Sequence, residues 1–148
     1  MFLSMTIALA LGLSGQADPD SIEPGKAGTA QLYAECAGYY DFIADSQESS
    51  ARKQSADIMR NMSRNAVLIS RRIYTSDWQL KHPDGKRQAI DWEREAIAPH
   101  RKRVKLMLLA LDRQDDPSMR DSYGSKCARL TEMTDLLLKS IERQTPGK

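Results

Sequence analysis

Two cysteines, Cys36 and Cys127, constrain this chain more than any other feature. They are the only ones in 148 residues and stand 91 residues apart. Cys36 lies within Leu32–Ile43, a stretch that also carries Tyr33, Tyr39, Tyr40 and Phe42. Leu32, Cys36, Tyr39 and Ile43 follow a 4-3-4 spacing, and Tyr33, Ala37, Tyr40 and Ala44 repeat it one residue along. That is the period of a helix with a broad apolar face. Cys127 falls on a similar stripe, Tyr123, Cys127, Leu130, Thr134, Leu137 and Ile141. The fold must therefore bring two core-facing helical positions together across most of the chain.

The helical reading extends to the whole chain. Aromatic residues are sparse, β-branched runs are absent, and Leu, Met, Ala, Arg, Lys, Gln and Glu dominate, which favours helix over strand. Four helices are predicted, over Thr29–Gln47, Ser50–Thr75, Asp84–Arg113 and Ser118–Gln144. The core stripe of the second is read as Ala51, Ser55, Ile58, Met62, Ala66, Ile69 and Ile73, and that of the third as Ile90, Ile97, Val104 and Leu111. Lys81–Gly85, with Pro83 and Gly85, reads as a turn. Pro99 should kink or interrupt the third helix, because it removes a donor and crowds the preceding turn. Asp116 and Pro117 read as the cap and first-turn proline of the fourth. Gly38 offers a point where a neighbouring backbone can come close. Short turns between such helices predict an all-α, antiparallel up-and-down four-helix bundle. Its first and last helices are then antiparallel neighbours, Cys36 and Cys127 stand at the same height, and one disulfide joins them.

Residues 1–17 read as a signal peptide. Phe2, Leu3 and Ile7–Leu13 form a short apolar core, and Gly15-Gln16-Ala17 supplies small residues at a cleavage site, although no Lys or Arg follows Met1. Residues 18–28 then read as a flexible leader and 29–145 as one helical domain. Export to a periplasmic or extracellular compartment is consistent with the cysteine pair, since disulfides persist in oxidising surroundings. No segment after residue 17 is apolar enough to span a membrane.

Charge is segregated although the net is only +2. The first helix is acidic and the second and third are basic, an arrangement that favours their pairing. His100-Arg101-Lys102-Arg103-Val104-Lys105 is the densest basic run. No P-loop, dinucleotide fingerprint, nucleophile elbow or haem-attachment motif occurs, so no enzyme class and no cofactor is indicated. No aromatic residues interleave with the bases, and no nucleic-acid partner is indicated.

The function expected is therefore non-enzymatic recognition of another protein, of the inhibitor, immunity or envelope-assembly type. Trp92, Pro99 and Leu106 give the third helix a second apolar side. Trp92, Arg101, Lys102, Arg103 and Leu106 are accordingly the expected partner-binding residues, for a different protein or for a second copy. The alternative is a small-molecule or metal site near Glu93 and His100, although no metal-ligand spacing is present.

Overall fold

The computed structural model describes the backbone of residues 27–144 and the side chains of residues 28–136. The expected signal peptide and most of the expected leader lie outside the described residues, as do the side chains of Leu137 and Ile141. Within them the chain is all helical: α1 (Ala27–Ser49), α2 (Lys53–Lys81), α3 (Ala89–Trp92), a π turn (Glu93–Ile97), α4 (Ala98–Asp112) and α5 (Ser118–Gln144). α3, the π turn and α4 follow one another without a gap, so four rods result.

Cross-contacts give their directions. Ser63 Oγ donates to the Ala37 carbonyl at 3.0 Å and Ser70 Oγ to the Ala30 carbonyl at 2.6 Å, so α1 and α2 are antiparallel. Arg101 meets Asp41 while Lys105 meets Asp45, so α1 and α4 are parallel. Cys36 is bonded to Cys127, with Cα atoms 5.6 Å apart, while Tyr33 bonds Thr134 further along α5. The fourth rod therefore runs against the first, and the expected disulfide joins them.

The bundle is not symmetric. α1 packs against α2, α4 and α5 together, and among the described residues no close backbone approach joins α2 to α4 or α2 to α5. The composition of α1 explains its place. Ala30, Ala34, Ala37 and Ala44 make one flank flat enough for α2 to pack closely, and Ala56, Ser63, Ala66 and Ser70 answer from α2 with equally small side chains. Gly38 does the same toward α4, where a Cβ would lie within 3.2 Å of the Arg101 Cα, carbonyl carbon and oxygen. Tyr33, Cys36 and Tyr40 face α5. The core fills between these rods with Phe42, Ile97, Val104, Leu108, Tyr123 and Leu130.

Several boundaries differ from the sequence reading. α1 begins at Ala27, inside the expected leader. Two of the three connections between rods, those after α1 and after α4, contain a residue of positive φ, Ala51 (58°) and Asp115 (53°). In each the next N–H returns to the carbonyl five residues back, Arg52 to Gln47 at 2.9 Å and Asp116 to Leu111 at 3.1 Å, the geometry of a Schellman closure. Ala51 is therefore a turn residue and not part of the second helix. Asp116 Oδ1 then accepts the Ser118 N–H at 3.0 Å, as the expected cap. α2 runs on to Lys81, because Trp78 stacks on His82 with ring centroids 4.8 Å apart and closes over Gly85. The third rod starts at Ala89, not Asp84, behind a capping box between Gln88 and Asp91.

Pro99 does not break its helix. The Ala98 N–H reaches the Glu93 carbonyl, closing a wide π turn directly before the proline. The extra residue in that turn shifts the helical phase by roughly a quarter turn or more. Ile97 and Val104 remain core residues, whereas Ile90, on the other side of the π turn, is 55% exposed.

Candidate functional site

The largest departure from the sequence reading is on α2. Small residues make its closest approach to α1; of the expected stripe Ala66 is in the core and Met62, Ile69 and Ile73 pack against it, while the bulky residue that is buried outright is Val67. Ile58 is 51% exposed, and Met62 and Ile69 are only partly covered. Met62 and Ile69, with Leu68, line a groove between α2 and α5, a cavity of about 390 Å³. α1 provides the floor, with Tyr33, Cys36 and Tyr40, and the disulfide crosses beneath it. Met62, Ala66 and Ile69 form the α2 bank, and Leu130, Thr131 and Thr134 the α5 bank. Asn65, Leu68 and Asp135 make the rim, and Leu68 is 50% exposed.

The polar atoms on the floor are already used. Tyr40 Oη donates to the Cys127 carbonyl at 3.2 Å and lies 3.1 Å from Thr131 Oγ1, while Tyr33 Oη bonds Thr134 Oγ1. Burial raises the pKa of both phenols, against the opposing effect of the hydrogen bonds to their threonine partners. The tyrosines thus hold α5 to α1 as neutral hydrogen-bonding groups. What the groove offers a visitor is an apolar surface without a charged group at its centre.

A second cluster lies where α1, α4 and α5 meet. Glu35 Oε1 accepts from Gln31 Nε2 at 2.9 Å and Arg103 Nη2 at 3.0 Å, and Oε2 accepts from Tyr123 Oη at 3.4 Å. Burial, then the Glu35 charge, pushes the Tyr123 phenol up to about 12. His100 Nδ1 lies 3.1 Å from Arg103 Nη2 and 4.0 Å from Glu35 Oε1. Since the guanidinium only donates, Nδ1 is the acceptor there. The cluster is saturated by its own members and ties three helices together.

The residues expected to bind a partner are dispersed by this geometry. Trp92 is half-buried, stacked on Tyr74 with centroids 5.2 Å apart and covered by the Arg87 guanidinium at 3.9 Å. Arg101 grips Asp41 with two bonds, at 2.5 and 3.0 Å, and this pairing raises its pKa. Arg103 is held by Glu35, and Lys105 by Asp45 at 2.6 Å. Lys102 and Leu106, the latter 53% exposed, turn outward, and Arg103 stays exposed beside its bond to Glu35. Glu93 and His100 are not brought together: Glu93 Oε2 accepts from Arg71 at 3.0 Å, and His100 turns to Arg103. Among the described residues no three His, Cys, Asp or Glu side chains are placed to hold a metal ion.

The groove was missed because hydrophobic periodicity reports which face is apolar, not which face packs closest. The usable signal was the second pattern on α2, small residues at Ala56, Ser63 and Ser70 with sevenfold spacing, opposite an alanine-rich α1. No protein-family model, curated protein or solved structure matches the chain.

Proposed function

We propose that this chain is an exported, non-enzymatic protein-binding module that receives its partner along the groove between α2 and α5. The observation that carries the reading is the incompletely covered bulky side of α2, with Leu68 50% exposed and Met62 and Ile69 only partly buried, along a groove with an apolar centre. Burying a large apolar side chain completely contributes about 1.5–3 kcal/mol, and a partner that completes the burial of these side chains recovers the missing share of it. The floor is stiff, because a disulfide and two tyrosine bonds fix α5 on α1, so little ordering opposes binding. The apolar N-terminal segment and the disulfide support export to a periplasmic or extracellular site. No helix of the described residues is long and apolar enough to cross a membrane.

A second surface, the outer face of α4, is marked by Lys102 and the exposed Leu106. It offers fewer apolar anchors, because Trp92 is stacked on Tyr74 within the fold and Arg101 is held by Asp41. The two surfaces are separated by comparing Ile69→Arg with Lys102→Glu/Leu106→Glu in affinity capture by the oxidised protein from an extract of its own source compartment. The groove reading expects Ile69→Arg to lose at least 90% of the specific captured protein, roughly the tenfold that 1.4 kcal/mol gives, while the α4 variant keeps it. Loss with the α4 variant alone would move the site to α4.

A further inference from the structure

One hydrogen bond at the junction of α1, α4 and α5 cannot survive a proton. His100 Nδ1 accepts from Arg103 Nη2 at 3.1 Å. A guanidinium only donates, so Nδ1 holds a lone pair and the ring proton sits on Nε2. The next proton must enter at Nδ1 itself. It turns the acceptor into a second cationic N–H that faces the guanidinium. Glu35 Oε1 lies 4.0 Å from Nδ1, and the same oxygen accepts from Arg103 Nη2 at 3.0 Å. Imidazolium and guanidinium then compete for one carboxylate oxygen.

The surroundings decide which cation keeps it. The Arg103 side chain is 61% exposed, so it can rotate on its long stem into water. The His100 side chain is short and only 26% exposed. Glu35 retains Gln31 and Tyr123 as donors and stays where it is. α2 presents Tyr74 to the Glu35 charge, and α5 presents Tyr123 with Lys126 over its ring. Burial raises both phenols above the ordinary tyrosine value, so neither carries charge where imidazoles titrate. Among the described residues Glu35 is the only carboxylate within 4.0 Å of the imidazole.

We infer that His100, Glu35 and Arg103 form a pH-operated switch on α4. With His100 neutral, Arg103 is clamped on Glu35. With His100 protonated, the imidazolium takes Glu35, and Arg103 swings free on the outer face of α4 to join Lys102 beside Leu106. A proton taken up inside the junction is thus displayed as a second free cation outside it. Imidazoles change charge between about pH 5 and 8, so acid gives the more basic surface. The switch operates apart from the groove between α2 and α5.

The test follows the full oxidised chain by NMR from about pH 8 to about pH 5, the range of imidazole titration. The carbon-bound ring proton of His100 reports the imidazole, with His82→Gln to assign it, and the Cδ methylene of Arg103 reports the guanidinium arm. The Arg103 methylene is expected to be ordered at the upper end and to lose about a third of its order parameter on acidification, with the same midpoint as His100. His100→Asn keeps a neutral acceptor close to the position of Nδ1 and takes up no proton, so its Arg103 should stay ordered throughout. An Arg103 that stays ordered through the wild-type titration, or is mobile from the start, would overturn the switch. Loss of order in acid that His100→Asn also shows would overturn it too, since another group would then drive the change. Should His100→Asn fail to fold, the wild-type titration decides by itself: a shared midpoint supports the switch and separate midpoints overturn it.

Discussion

Gly28 and Gly38 lie in one helix, yet adding a methyl group to each should have opposite effects. A Cβ at Gly28 meets nothing within 4 Å, and one at Gly38 meets the Arg101 backbone. Gly28→Ala is expected to be neutral or to stabilise by up to about 1 kcal/mol, from reduced chain entropy. Gly38→Ala should cost about 1–3 kcal/mol, because two backbones must separate. Urea unfolding of both variants checks this, and similar values would mean that α1 and α4 are not in close contact. Ala51, with φ of 58°, gives the converse case. Ala51→Gly should stabilise by about 1 kcal/mol, since glycine carries no left-handed penalty. At Tyr123 the sign follows from its raised pKa. The folded phenol stays protonated up to about 12, whereas the unfolded one ionises near 10. Its contribution is therefore complete below pH 10 and is lost as pH rises toward 12. Tyr123→Phe should flatten the fall in stability over that window.

At the scale of elements, the sequence reading located the helices well where caps and breakers mark them. Asp116 and Pro117 set the start of α5, and the two cysteine stripes gave the correct pairing of α1 with α5. It failed where packing distance, not polarity, decides. Ile58 and Ile69 carry the helical period of a core stripe, but closeness to α1 goes to Ser63 and Ser70, whose hydroxyls bond its carbonyls. It failed again at Ile90, because the π turn inserts a residue that no hydrophobic pattern announces. The expected residues on the third helix divide: Arg101 and Arg103 pair with acids of α1, Trp92 stacks on Tyr74, and Lys102 and Leu106 face outward. α5 is the element most dependent on single links, resting on α1 through the disulfide, three tyrosines and Leu130. Replacing both cysteines, Cys36→Ala/Cys127→Ala, should lower stability by up to about 4–5 kcal/mol under oxidising conditions, from the long loop released. Hydrogen exchange should show α5 amides losing protection before those of α1 and α2. Simultaneous loss in all three would mean that packing alone anchors α5.

Across the whole molecule, charge and shape divide the work around α1. Its acids Glu35, Asp41, Asp45 and Glu48 take up Arg103, Arg101, Lys105 and Arg60 from the basic helices on one side. This accounts for the charge segregation visible in the sequence as an internal seam. It leaves Lys102 as the one cation of the densest basic run without an acid partner among the described residues. The other side of α1 carries no such seam, and there α2 and α5 stand apart over an apolar floor. The claim that this gap is open in the partner-free protein is tested most directly by a soluble paramagnetic relaxation agent, read on methyl groups of the oxidised chain. Met62 and Ile69 should relax strongly, while Ile97, Val104 and Leu108, each 1% exposed, should not. Met62 and Ile69 as protected as Ile97 would mean that the groove is already filled, and the account of this chain as a receptor for a partner would fail.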